Sequence, residues 1–319
     1  MKALITGGAG FVGSHLSEYL LGEGWQVQII DDLSTGSLDN VQHLMDHEDF
    51  SYAIDTIMNE TVLDRLASRC DIIFHLAAAV GVELIVKEPL HTIQTNVGGT
   101  DAVLRVAARY RRRVLITSTS EVYGKSANIP FSEEDDTVSG PTIKQRWAYA
   151  CSKAIDEFAA FAAAREHGIP VHVVRLFNTV GPRQTGRYGM VIPRFVRQAL
   201  ANEPITVYGD GKQSRCFANV SDIVGALVKL VQCQESEGQV VNLGSQEEIS
   251  IAELAERVKT QLNSQSEIIY IPYNEAYEAG FEDMLRRVPC LDKANRLIGY
   301  KPTIKLNETI QQVADFARL

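Results

Sequence analysis

No apolar stretch in this 319-residue chain approaches the ~20 residues that a bilayer span requires, so neither a membrane helix nor a membrane partner is expected. Positive charge is scarce too. The 31 Lys and Arg face 40 Asp and Glu, for a net charge of -9, and no basic run offers the clustered cations that nucleic-acid phosphates call for. The five cysteines, Cys70, Cys151, Cys216, Cys233 and Cys290, are widely spaced and include no CxxC pair. That argues against a disulfide framework and against a zinc or other metal site, and leaves them as small hydrophobes for the core. Low-complexity tracts and internal repeats are lacking as well, which sets aside disorder and solenoid folds. The first residues read as a strand and a glycine-rich turn with no room for a signal peptide, so a cytoplasmic location is expected.

What is present is alternation. Short apolar runs at Lys2–Thr6, Gln26–Asp31, Ile72–Ala77, Arg113–Ser118 and Val171–Phe177 are separated by helical patterns, among them Gly13–Glu23, Leu90–Arg109 and Tyr149–His167. Strands and helices in turn predict a parallel sheet covered on both faces with right-handed crossovers. The fold class is therefore α/β, a Rossmann-type doubly wound sheet with a smaller, discontinuous C-terminal lobe. At this length a single core would be near its limit, and two intimate domains are expected. Residues 1–177, rejoined by about 218–245, form the dinucleotide domain, and residues 178–217 with 246–319 form the substrate lobe. The stretches Gly181–Gly189 and Tyr208–Phe217, crowded with Gly, Arg and Gln, read as substrate loops.

Gly7, Gly10 and Gly13 sit between the first strand and the first helix. Glycines there give a tight turn, let backbone approach a pyrophosphate and allow the helix to pack on the sheet, while the helix N-terminus offers unpaired N–H groups. The second strand ends at Asp31, where an acid would meet the adenosine ribose hydroxyls, and no Arg follows to receive a 2'-phosphate, so NAD is preferred to NADP. Asp32 competes for that role, its plainer reading being a solvated turn acid, and Asp55 is placed to face the adenine or else only solvent.

Tyr149 and Lys153 stand four residues apart on one helix face. A phenol with a pKa near ~10 is a poor base unless a cation stabilises its anion, and Lys153 would supply that charge. The preceding strand ends in Thr117-Ser-Thr-Ser-Glu-Val-Tyr-Gly124, which brings Thr119, Ser120 and Glu121 to the edge where parallel sheets bind ligands. Alone, each feature has a plainer reading, a surface pair or a hydroxyl-rich turn.

Together they resemble the extended short-chain dehydrogenase/reductase family, in its nucleotide-sugar epimerase, dehydratase and decarboxylase branch. The resemblance spans nearly the whole chain: the glycine turn, Asp31, His75-Leu-Ala-Ala, Asn96-Val-Gly-Gly-Thr100, the Ser-Thr-Ser-Glu stretch, Tyr149 with Lys153, Phe177-Asn-Thr-Val-Gly-Pro-Arg183, Tyr208-Gly-Asp-Gly-Lys-Gln-Ser-Arg215 and Arg287-Val-Pro. It implies NAD bound by Gly7, Gly10, Phe11, Val12, Gly13, Asp31, Asp32, Asp55, Leu76, Ala77, Ala78, Tyr149 and Lys153, with Asn96 bracing the backbone nearby. It implies a UDP-sugar substrate held by Asn178, Val191, Tyr208, Arg215 and Arg287, and a homodimer built on the two long helices, with Val103, Val106, Phe158 and Phe161 as its apolar positions. Catalysis falls to Tyr149, Lys153, Thr119, Ser120, Glu121 and Arg287. One departure stands out: Cys290 replaces the Asp that ends the family's Arg-x-Pro-Asp run, which puts the orientation of Arg287 in question.

Family members share oxidation at the sugar C4 and diverge afterwards. Ser120 stands where the resembling dehydratases place an Asp, and an ordinary hydroxyl is a poor proton donor, which disfavours dehydration. Thr119-Ser120-Glu121 and Arg146-Trp-Ala-Tyr149 resemble the UDP-glucuronate decarboxylases, with Glu121 assisting oxidation and Arg287 assisting protonation after carbon dioxide leaves, whereas His75-Leu-Ala-Ala-Ala-Val-Gly-Val is closer to a 4-epimerase loop. Decarboxylation leads and 4-epimerisation follows. A silent NAD or sugar-nucleotide sensor on the same fold is the reading from another class, and an intact Tyr149, Lys153 and Thr119 argues against it.

Overall fold

The computed structural model describes residues 1–81, 88–186, 190–276 and 284–318. In chain order its strands are β1 (Lys2–Thr6), β2 (Gln26–Asp31), β3 (Phe50–Ile54), β4 (Ile72–His75), β5 (Arg113–Thr119), β6 (Val171–Leu176), β7 (Thr179–Val180), β8 (Ile205–Tyr208), β9 (Ser214–Cys216), β10 (Ala218–Asn219), β11 (Gln239–Leu243), β12 (Glu248–Ser250), β13 (Ile268–Ile271) and β14 (Arg286–Arg287). The helices are α1 (Phe11–Gly22), α2 (Glu60–Ala67), α3 (Pro89–Tyr110), α4 (Trp147–His167), α5 (Val191–Leu200), α6 (Val220–Gln232), α7 (Ile251–Gln261), α8 (Tyr273–Ala276), α9 (Asp292–Ile298) and α10 (Leu306–Ala317).

Seven strands form one parallel sheet in the order β11-β6-β5-β4-β1-β2-β3. Its strands are apolar on both faces because both faces are covered. Ala3 and Ile5 of β1 join Leu16 and Leu20 of α1 and Leu227 of α6 on one side. Leu4, between them, turns to the other side with Leu63 of α2, Val103 of α3 and Ala160 of α4. This period of two, repeated in β4 with Ile72 and Phe74 against Ile73, is what a doubly covered strand requires. A second core gathers α5, α7 and α10 around β8, with Phe195, Leu254 and Ile310 fully buried. There α7 starts on a capping box in which Ser250 and Glu253 satisfy each other's backbone.

Three expectations change on folding. β4 stops at His75 rather than Ala77, which leaves Leu76 to Ala78 as irregular chain at the strand's carboxyl end. Leu291, Ala294 and Tyr300, expected in the smaller lobe, pack into the main core instead, because α9 lies against β11 and α6. Val103 and Val106 face the sheet and are buried, and Phe161 packs partly against the same core, so of the four expected interface positions only Phe158 stands out in solvent, at 75% exposure. All five cysteines are free; Cys70 and Cys216 are buried and the other three are half-buried.

A charged network ties α4 to the sheet. Arg175 of β6 donates to both oxygens of Glu157, at 2.9 and 2.7 Å, and Ser118 of β5 donates to the same carboxylate at 2.5 Å. The guanidinium lies 4.7 Å from the ring centre of Tyr123, whose hydroxyl donates to Asn242 Oδ1 at 2.7 Å. Burial alone would strip Arg175 of its proton more readily, but the Glu157 carboxylate outweighs it and holds the guanidinium's pKa above its usual value. Removing one partner strands the other charge in the core. Glu157→Ala should therefore cost about 3–5 kcal/mol of stability by denaturant unfolding, whereas the paired change Glu157→Leu with Arg175→Leu should cost much less.

Candidate active site

The glycine turn is built by contacts that a side chain would break. Gly7 takes φ +69°, and a Cβ there would stand 2.9 Å from Ala77 N; on Gly13 a Cβ would stand 2.2 Å from Gly7 O. The turn closes with Gly10 N donating to Gly7 O at 3.1 Å, and α1 begins without a side-chain cap or an acid in its first turn. Uncapped N–H groups at a positive helix end, reached by bare backbone, suit a diphosphate.

Asp31 completes that cradle from β2. Its Oδ2 accepts from Ala9 N and its Oδ1 from Leu33 N, each at 2.9 Å. Burial nonetheless pushes its carboxyl above the ordinary value, with those backbone donors opposing. Asp32 is exposed and accepts from Ser34 N and Ser34 Oγ, which makes it a turn acid at the rim. Asp55 is spent on Thr56 N and Asn59 Nδ2, both at 2.8 Å.

These residues open onto a cleft of about 960 Å³ that crosses the carboxyl ends of β1, β4 and β5. Sheet order reverses between β1 and β4, so this is the switch point where open α/β sheets take ligands. Every site residue expected from the sequence lines the cleft except Asn96. Asn96 is buried behind the wall, accepting from Ala79 N at 2.8 Å and donating to Ser152 Oγ at 3.1 Å, and so joins the β4 end to α4.

At the middle of the cleft, Thr119 Oγ1 accepts from Glu121 N at 3.2 Å and hydrogen-bonds the Tyr149 phenol. The phenol is not acidified in this arrangement. Desolvation and then the Glu121 carboxylate push its pKa well above the ordinary tyrosine value, against the Thr119 bond and the Arg287 charge. Lys153, expected to lower it, instead donates to Asp156 Oδ2 at 2.7 Å, with both side chains buried. Tyrosine and lysine share a helix face, but a third residue one turn along has taken the ammonium.

Glu121 is the electrostatic centre of the far end. Arg287 Nη1 donates to Glu121 Oε1 at 3.2 Å, and Arg146 Nη2 lies 3.7 Å from Oε2. Arg146, buried and lining the same cleft, was missed as a site residue by sequence reasoning, although its place three residues before Tyr149 was visible. Arg287 is in register with Arg215 on the neighbouring strand β9, which brings the two guanidinium side chains to one wall. The Cys290 departure does not loosen Arg287: Phe131 N donates to Val288 O and Cys290 N to Phe131 O, both at 2.8 Å, so backbone pairing steadies the segment.

Opposite that wall, Asn178 takes φ +26° and donates to Cys216 O at 3.0 Å, and Val191 opens α5. The Arg194 guanidinium stacks 3.9 Å from the ring centre of Tyr208. Arg194 is a second cleft residue that sequence reasoning passed over. Of the expected substrate loop, residues 187–189 lie outside the described residues, as does Val82 of the epimerase-like run.

A family model described as GDP-mannose 4,6 dehydratase matches residues 4–313. UDP-N-acetyl-alpha-D-glucosaminuronate decarboxylase of Bacillus cytotoxicus is 39% identical, over 97% of this chain and 97% of its own. UDP-glucuronic acid decarboxylase 1 of Xenopus tropicalis is 38% identical, over 99% of this chain and 72% of its own. Among solved structures, UDP-glucuronic acid 4-epimerase of Bacillus cereus, in complex with UDP-glucuronic acid and NAD, superposes with a TM-score of 0.90 at 26% identity, covering 100% of this chain and 99% of that one.

Asp31 at the ribose end, with no cation beside it in sequence, predicts discrimination against a 2'-phosphate. Calorimetric titration should find NAD(H) bound at least about tenfold more tightly than NADP(H). Equal or reversed affinities would remove Asp31 from that role.

Proposed function

The chain belongs to the GDP-mannose 4,6-dehydratase family of extended short-chain dehydrogenases/reductases, and on that footing we propose that it is an NAD-dependent decarboxylase of a UDP-hexuronate. The observation that carries this reading is Glu121, an acid beside Tyr149 held between Arg287 and Arg146. The two guanidinium groups that flank this carboxylate offer forked donors in the cleft, an arrangement that suits a substrate bearing a carboxylate of its own. The relatives at 39% and 38% identity, both named as uronate decarboxylases, support the same choice.

Gly7, Gly10, Phe11, Val12 and Gly13 would hold the diphosphate of NAD and Asp31 its ribose, with Asp32 and Asp55 at the rim and Leu76 to Ala78 lining the same cleft. When bound, NAD supplies the acceptor for the C4 hydride and its return. Tyr149, aligned by Thr119, takes the C4 hydroxyl proton in its phenolate form, which the Arg287 charge favours; Lys153, paired with Asp156 one turn along α4, is assigned to add its charge when the cofactor fills the cleft. With C4 a ketone, the carboxylate on C5 is β to it, and the C5–C6 bonding pair passes into an enolate as carbon dioxide leaves. Arg287 and Glu121 stand where C5 regains a proton, and Ser120 beside them offers only a hydrogen bond. Arg215, Tyr208, Val191 and Asn178 take the UDP portion. In this reading residues 1–177 with 218–245 serve the cofactor, and 178–217 with 246–319 serve the sugar nucleotide, apart from the segment around α9.

The fold alone does not choose between decarboxylase and 4-epimerase, since the epimerase of Bacillus cereus shares it at a TM-score of 0.90. Glu121 does. Glu121→Ala should lower carbon dioxide release from UDP-glucuronate by about 10² or more while NADH binding survives. A wild-type protein that releases no carbon dioxide yet interconverts 4-epimers, with Glu121→Ala indifferent, would make the epimerase reading the right one.

The reading extends to a cytoplasmic homodimer formed through α3 and α4. These helices pack side by side and carry Leu90, Ile93, Ile155 and Phe158 on their solvent side, an apolar patch of the kind that marks an interface. Phe158→Glu should shift sedimentation from dimer to monomer at micromolar concentration without unfolding the chain. A wild-type monomer, or a variant that still dimerises, counts against that surface.

A further inference from the structure

Lys153 and Asp156 form the most deeply buried ion pair among the described residues, at 2% and 1% exposure of their side chains. Nothing in the chemistry above uses Asp156. Lys153 Nζ donates to Asp156 Oδ2 at 2.7 Å, while Asp156 Oδ1 is buried without a hydrogen-bond partner among the described residues. A chain of polar side chains starts nearby, at Thr100 on α3. Thr100 Oγ1 is in turn 3.1 Å from His75 Nε2 on β4, and His75 Nδ1 is 2.8 Å from Thr6 Oγ1 at the end of β1. Thr6 Oγ1 accepts from Ala77 N at 3.2 Å, in the segment that lines the cofactor end of the cleft.

We propose that Asp156 is a positioning residue for Lys153: the buried ion pair fixes the ammonium in the wall of the cleft, next to the Thr100-His75-Thr6 chain that leads to Ala77. The surrounding charges leave the task to Asp156. Glu157, the next carboxylate on α4, is committed to Arg175 and Ser118. His75 is neutral, its pKa pushed down to about 3 by burial and then by the Lys153 charge, so it bridges two threonines as a donor and an acceptor and adds no second cation. Burial raises the Asp156 carboxyl above its usual value, and Lys153 is the first of the groups that oppose this.

The inference rests on Lys153 serving the cofactor and Tyr149 as proposed above. The test compares Asp156→Asn, Lys153→Met and the double variant with wild type by NADH calorimetry and by the separate values of kcat and KM. Without the carboxylate that fixes it, the ammonium loses its place, so Asp156→Asn should weaken NADH binding about tenfold and lower kcat about tenfold while KM for the sugar nucleotide stays nearly unchanged. In the Lys153→Met background the same substitution should change neither NADH affinity nor kcat, because Asp156 acts through the ammonium. An unchanged kcat and affinity in Asp156→Asn, tighter NADH binding, or a full additional loss in the Lys153→Met background would each overturn the inference. If Asp156→Asn does not fold, Lys153→Met/Asp156→Leu replaces the whole pair with apolar groups, a change that buried pairs tolerate. Its NADH affinity should then equal that of Lys153→Met, and a further drop overturns the proposal. Lys153→Met that behaves as wild type would instead remove Lys153 from its assigned role.

Discussion

The bidentate bond between Arg175 and Glu157 is the constraint on which the site depends. Glu157 lies one turn beyond Lys153 on α4, so fixing it to β6 sets the helix's rotation and height above the sheet. Tyr149 then meets Thr119 at the end of β5, and Ser118, the residue before, is drawn into the same carboxylate. Charges are buried here at a large desolvation cost, which the paired geometry and the third donor offset. Because Arg175 also covers Tyr123, and Tyr123 holds Asn242, the setting reaches further. Asn242 Nδ2 donates to Phe131 O, the residue that pairs with the Arg287 segment. The catalytic helix and the arginine that faces it across the cleft thus belong to one hydrogen-bonded body.

That continuity matters because the two ends of the cleft ask for different physics. At the glycine turn the protein offers backbone donors and withholds side chains, so binding there is geometric. At the other end Arg146, Glu121, Arg287 and Arg215 crowd around one wall, and binding is a question of charge balance. Tyr149 sits between, in a field where the Glu121 anion raises its pKa and the Arg287 cation lowers it. A proton acceptor placed between opposing charges responds strongly to any charge that enters the cleft, since the surrounding dielectric is low.

How much was legible follows from which interactions are local. The glycine turn, Asp31 at the end of β2, and Tyr149 with Lys153 on one helix face are patterns of short range, readable from spacing because a turn or a helix converts spacing directly into geometry. That both faces of the sheet are covered was legible from strands alternating with helices, whereas the split of Ala3 and Ile5 from Leu4 between the two faces emerged only with the packing. Arg146 and Asp156 were not read, although both flank the tyrosine and lysine in sequence. What makes Arg146 matter is a partner across the fold, Glu121, and what makes Asp156 matter is its burial together with Lys153, which spacing alone does not reveal. Val103 and Val106 were read as interface because an amphipathic helix shows an apolar stripe without saying what covers it.

By itself, then, the sequence determined the α/β class, its first strands and helices, the glycine turn and the pairing of Tyr149 with Lys153 on one helix face, all through local periodicity and motif spacing. Only the tertiary structure decided where the charges meet. Lys153 turning to Asp156, Glu121 resting between two arginines, and Arg287 held by backbone in place of the missing carboxylate at Cys290 all join residues far apart along the chain or depend on burial. Electrostatic energies in a protein depend on distance and desolvation, and neither is defined until the chain has packed.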